Sequence, residues 1–152
     1  MNPFSPPVEL VALAFRAAEA HALWPEVVCA IVEQESSWNP WALRYEPAFY
    51  EKYVAPQFAR GNIADLTESR ARAFSWGLMQ VMGQAAREHG FNGASLAALC
   101  DPAAGIEIGC RGRRQRRSRA PALERRRKPE LPGGSARSRR PLHPASCQIN
   151  KK

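Results

Sequence analysis

The chain has 152 residues, room for one ordinary domain and not two, and 45% of them are hydrophobic, so a buried core is possible. A formal net charge of +8 suggests a nucleic-acid partner, yet residues 1–110 hold 7 of the 22 basic and 12 of the 14 acidic residues, a local net of −5. The positive charge belongs to residues 111–152, with 15 basic and 2 acidic residues, which excludes specific nucleic-acid recognition as the business of the folded part.

In chain order, Pro6-Pro7 opens onto an amphipathic helix from Val8 to about Leu23, with Leu10, Ala14, Ala17 and Ala18 at helical spacing. Trp24-Pro25 suits the first turn of a second helix, Pro25 to about Ser36, which Asn39-Pro40 stops. Residues 40–75 carry too many aromatics for a disordered linker and predict short helices at Pro47–Tyr53 and Leu66–Phe74. Ser75–Gln80 then leads into a helix to about His89, with Gly90 as its stop. Ser95 caps a short turn to Leu99, and Asp101-Pro102 pairs a capping residue with a first-position proline at the start of the next helix. No strand pattern is visible, so the domain reads as mostly α.

At about Arg111 the composition changes. All 13 aromatic residues precede it, and the last 42 residues are dominated by Arg, Pro, Ser, Ala and Gly. Such a segment buries too little apolar area to offset its ordering entropy, so 111–152 reads as a disordered tail, with the last helix reaching at most about Arg117. Four cysteines form no CxxC pair and the three histidines are scattered, so buried reduced thiols are expected and no metal or cofactor. No run approaches the roughly 18 apolar residues of a membrane span. Met1–Ser5 carries no basic residue and no cleavage site follows, which predicts a chain cytoplasmic as synthesised; separately, a monomer is expected.

Glu35 is the most informative residue. It lies three, four and seven residues after Val32, Ile31 and Val28, which places it on the apolar stripe of its own helix, with Glu33 off the stripe and solvated. Burial beside a helix C-terminus would raise its pKa and keep it protonated, as a general acid requires. The alternative is a frayed helix end where Glu35 turns to water.

Three motifs carry a family resemblance. Glu35-Ser36-Ser37-Trp38-Asn39-Pro40 resembles the Glu-Ser motif of soluble lytic transglycosylases. Gly77-Leu78-Met79-Gln80-Val81-Met82 is similar to their Gly-Leu-Met-Gln motif. Asp101-Pro102 through Ile106-Glu107-Ile108-Gly109 resembles their Asp-Pro-xx-Asn-Ile-xx-Gly segment, with Gly105 where Asn is usual. The resemblance covers roughly residues 8–110 and implies a lysozyme-like, goose-type helical domain. It implies Glu35 as a single acid/base cleaving the β-1,4 bond between N-acetylmuramic acid (MurNAc) and N-acetylglucosamine (GlcNAc), giving a 1,6-anhydro sugar. It also implies that Ser36, Ser75, Trp76, Met79 and Gln80 bind the glycan, each with a plainer role as cap, turn or core residue. Trp38 and Trp41 join Trp76 as candidate stacking platforms. Glu46 could act as the base of a true hydrolase or pair with an arginine.

The family's further Ala-Tyr-Asn-Gly-Gly-like segment is missing: the three tyrosines all precede position 54. The tail reads as an out-of-frame translation of the ancestral C-terminal helices, because Arg, Ala, Pro, Gly and Ser are what a GC-rich coding sequence yields in the wrong frame. Three functions compete on the sequence: a murein transglycosylase delivered to the wall by a phage or secretion machinery, a catalytically impaired glycan-binding remnant, and a coarse polyanion binder acting through the tail.

Overall fold

A computed structural model describes residues 6–119, and these are mostly helical. Residues 120–152, over which disorder and a frame change are expected, lie outside the described part.

Helix α1 spans Val8–Ala20 and helix α2 spans Pro25–Ser36. The first is shorter than expected because Ala22 turns left-handed at φ 53° and the Leu23 N–H donates back to the Ala18 carbonyl at 2.8 Å. Helix α2 has the bounds the sequence gives. It is stopped by Ser37 (φ 49°) and Trp38 (φ 64°), ahead of the expected Asn39-Pro40. Two consecutive left-handed residues, one of them bulky, are costly, and here they swing the Trp38 indole back into the core, where it is 5% exposed.

The absence of strands is the first correction. Strand β1 (Leu43–Tyr45), strand β2 (Phe74–Trp76) and strand β3 (Val81–Met82) form an antiparallel sheet in that order. Segments of two or three residues are too short to show alternation, so their pairing is not locally encoded. Between β1 and β2, helix α3 (Pro47–Phe49) runs through a π-helical turn (Tyr50–Val54) into helix α4 (Ala55–Ala59). Pro56 accounts for the wide turn: it has no N–H and its ring collides with the carbonyl four residues back. Helix α5 (Leu66–Ala71) is capped by the Asp65 carboxylate, which accepts from the Glu68 N–H at 2.7 Å. It ends before Phe74, which is strand.

Helix α6 is Gly83–Glu88, closed by His89 and by Gly90 at φ 86°. A 3₁₀ turn, Leu96–Cys100, is capped by the Ser95 hydroxyl. Helix α7, Pro102–Arg119, starts where Asp101 accepts from the Ala104 N–H at 2.9 Å, and runs unbroken through Arg111. Helices α1, α2 and α7 enclose the main core around Val11, Val28, Cys29, Val32, Leu78, Ile106 and Cys110. A second cluster seats Trp76 on Leu96, Leu99 and Ile108 behind the sheet. A third packs Tyr50, Val54, Ile63 and Ala73 under the α3–α4 excursion.

Candidate active site

A cleft of about 330 Å³ opens between the end of α2, the sheet, and one face of α7. Its walls come from five places in the chain. Glu35 projects from the last turn of α2. Arg44, Ser75 and Met82 form one row across the three strands, in register Arg44↔Ser75↔Met82. Met79 and Gln80 come from the β2–β3 connection, Val81 from the start of β3, and Ala85 and His89 from α6 and its end. Ile108, Gly109, Gly112, Arg113 and Arg116 recur at helical spacing along one face of α7.

The Gly77–Gln80 connection is fixed from three sides. The single Ser36 hydroxyl proton is shared between the Val32 carbonyl at 3.0 Å and the Leu78 carbonyl at 2.9 Å, tying the end of α2 to the loop. Ala42 O accepts from the Gly77 N–H and from the Gln80 amide, both at 2.9 Å. The Gln80 amide also donates to Gly77 O at 3.0 Å, so both of its donors are committed and Gln80 holds φ at 45°. Met79 is 5% exposed and lies against Gly109, where an added Cβ would collide with its sulfur. Three of the four non-glycine residues with positive φ among the described residues, Ser37, Trp38 and Gln80, thus flank the cleft.

Of the residues singled out by sequence, Glu35, Ser75, Met79 and Gln80 come together at the cleft. Ser36 and Trp76 do not line it: Ser36 braces the loop from behind, and the Trp76 indole donates to Ala71 O at 3.0 Å within the second core cluster. Trp38 is core and Trp41 is exposed. Glu46 accepts from Arg44 in an ion pair and does not line the cleft.

The expected burial of Glu35 is corrected. Glu35 is exposed and Glu33 is half-buried. The buried positions of α2 are Val28, Cys29 and Val32, with Ser36 one turn on. At about 100° per residue, Glu35 falls some 75° from the centre of that stripe, on its flank. Drawing the stripe through Ile31, which is only half-buried, put it too far round.

Sequence reasoning missed Arg44, His89, Gly109, Gly112, Arg113 and Arg116. The last four follow the helical spacing that begins at Gly105, a signal present in the sequence but hidden by the change of composition at Arg111. His89 Nδ1 lies 2.8 Å from Gln115 Oε1, which anchors this wall to α6. Partial desolvation and the neighbouring Arg116 guanidinium push Arg113 below the usual arginine value, while Glu35 pulls it up. Among the described residues no group of three or more His, Cys, Asp or Glu side chains could hold a metal ion, and no helix is long and apolar enough to cross a membrane.

Compared with known families, residues 12–120 match the family model described as the transglycosylase SLT domain, past the change of composition at Arg111. Neither curated proteins nor solved structures give a match.

Proposed function

Because the chain belongs to the transglycosylase SLT domain family, we propose that it is a peptidoglycan lytic transglycosylase in which Glu35 is the single acid/base. The observation that carries this reading is that Glu35 is the only carboxylate among the described residues lining the cleft. A glycosidase with two catalytic carboxylates needs them about 5–5.5 Å apart for retention, or further apart for inversion, both facing the sugar. A lysozyme-type hydrolase using Glu46 is disfavoured, since that carboxylate is engaged by Arg44 outside the cleft.

In the proposed reaction the Glu35 carboxyl gives its proton to the glycosidic oxygen between MurNAc and GlcNAc. The bond from MurNAc C1 to that oxygen breaks, and the N-acetyl group of the same sugar supports the cationic carbon. Glu35, now a carboxylate, takes the proton of the C6 hydroxyl as that oxygen attacks C1. The products are a 1,6-anhydro-MurNAc end and a free GlcNAc 4-hydroxyl, with Glu35 returned to its starting form. Ser75 and Met79 contribute the floor and side of the sugar site. Gln80 offers the substrate an acceptor, because its donors hold the loop.

The test is digestion of purified peptidoglycan by the protein and by Glu35→Gln, with the products identified by mass spectrometry. Anhydro-muramyl products falling by about 10²–10⁴-fold in the variant support the proposal. Reducing MurNAc ends would assign a hydrolase instead. Sedimentation with peptidoglycan without any cleavage would leave a glycan-binding remnant.

A further inference from the structure

The cleft's charge is opposite to what its one carboxylate suggests. Three guanidiniums line it against Glu35, and Arg44 is already matched by Glu46. Arg113 and Arg116, one helical turn apart on the same face of α7, form no salt bridge with any described residue. Gly109 and Gly112 precede them on that face and let other side chains pack close: Met79 lies over the first and the His89 ring over the second, where an added Cβ would meet it at 2.6 Å. The α7 wall of the cleft therefore carries two exposed, planar cations without an ion-pair partner among the described residues.

We propose that Arg113 and Arg116 form a carboxylate-recognition wall that selects glycan whose muramyl residue bears a free carboxylate close to the scissile bond. This rests on the transglycosylase reading of the same cleft. A guanidinium matches a carboxylate with two parallel hydrogen bonds, which a neutral hydroxyl cannot replace. Two like charges held a turn apart repel each other, so an incoming anion relieves a cost already present in the free protein. Glu35 meets only part of that positive charge, and it must shed its own charge when it carries the transferable proton, which leaves the wall still more cationic at that stage. Two sources supply the anion in murein: the lactyl carboxylate of a muramyl residue without peptide, and the carboxylates of an attached peptide.

The test separates this from the reaction itself by using binding to the Glu35→Gln protein. Calorimetric titrations would compare a GlcNAc–MurNAc disaccharide with free lactyl carboxylate, the same disaccharide bearing an L-Ala-D-isoGlu dipeptide, and an uncharged chitotetraose. At least one anionic ligand is expected to bind 10-fold or more tightly than chitotetraose, and to weaken as salt is raised. Arg113→Gln/Arg116→Gln should erase that preference, while Arg113→Lys/Arg116→Lys, which keeps the charge but not the paired donors, should retain only part of it; unchanged circular dichroism of both variants shows that the helix is intact. The ligand that responds identifies the source. Equal binding of charged and uncharged ligands, or equal losses for both in the glutamine variant, would overturn the proposal. So would a single-stranded oligonucleotide outcompeting both anionic sugars, which would make the wall a general polyanion surface. Absence of anhydro products from the unaltered protein would sink the transglycosylase reading while leaving these binding results to stand or fall separately.

Discussion

A single hydroxyl sets the relation between Glu35, the proposed acid, and the loop that faces it. Ser36 follows Glu35 directly, and its Oγ bonds carbonyls of both α2 and the Gly77–Gln80 connection. Ser36→Ala removes both contacts and leaves Leu78 O without this donor. The loss should be about 1–2 kcal/mol of stability in urea denaturation, with product formation falling further than stability alone explains. Glu35→Gln, by contrast, alters an exposed side chain and should shift unfolding by no more than about 0.5 kcal/mol. A large loss of stability in Glu35→Gln would mean that the carboxylate is structural.

At the scale of elements, the critical contact is a backbone oxygen. An added Cβ at Gly77 in the loop or at Gly105 on α7 would each fall 2.5 Å from the Leu99 carbonyl of the 3₁₀ turn. Gly77 also needs φ 65°. Alanine at either place should cost about 1–3 kcal/mol by thermal melting, with Gly77→Ala the worse of the two. A second junction joins α5 to α6. Glu68 accepts from Arg87 at 2.8 and 3.0 Å and from Arg72 at 3.0 Å. The Arg87 hydrogen bond leads in holding Glu68 below its ordinary 4.5, against burial that pushes it up. Its folded pKa is depressed, so the stability it adds is present above about pH 4.5 and lost as the pH falls through the lower folded value. Glu68→Gln should be less stable at pH 7 but lose less between pH 5 and strong acid, as followed by circular dichroism.

Much of this element map was legible. The Pro25 start of α2, the Asp101-Pro102 cap and the Gly90 stop are local chemistry, and each falls where its residues dictate. The sheet was not legible, because strands this short carry no period. The side of α2 that Glu35 occupies was misjudged because Cys29, not Ile31, shares the centre of the stripe. Arg113 and Arg116 were assigned to the tail on composition, whereas their spacing from Gly109 continues the face of a core helix.

For the whole molecule, the main core sets an alkaline limit. Cys110 is fully buried between helices, and burial pushes its thiol up to about 11, with the Glu107 carboxylate adding in the same direction. A raised folded pKa means full stability below the ordinary 9.0 and loss as the pH rises through about 11. The loss should be on the order of 2 kcal/mol in denaturant titrations under reducing conditions. Cys110→Ala should flatten that limb while lowering stability at pH 7 by leaving a cavity.

The Leu99 carbonyl has one more implication. Because loop and helix both rest on the same atom, the position of two walls of the cleft is set from behind, by a residue that does not line it. An engineer wishing to reshape the cleft would leave its lining alone and retwist the Leu96–Cys100 turn, shifting the loop and α7 relative to the sheet.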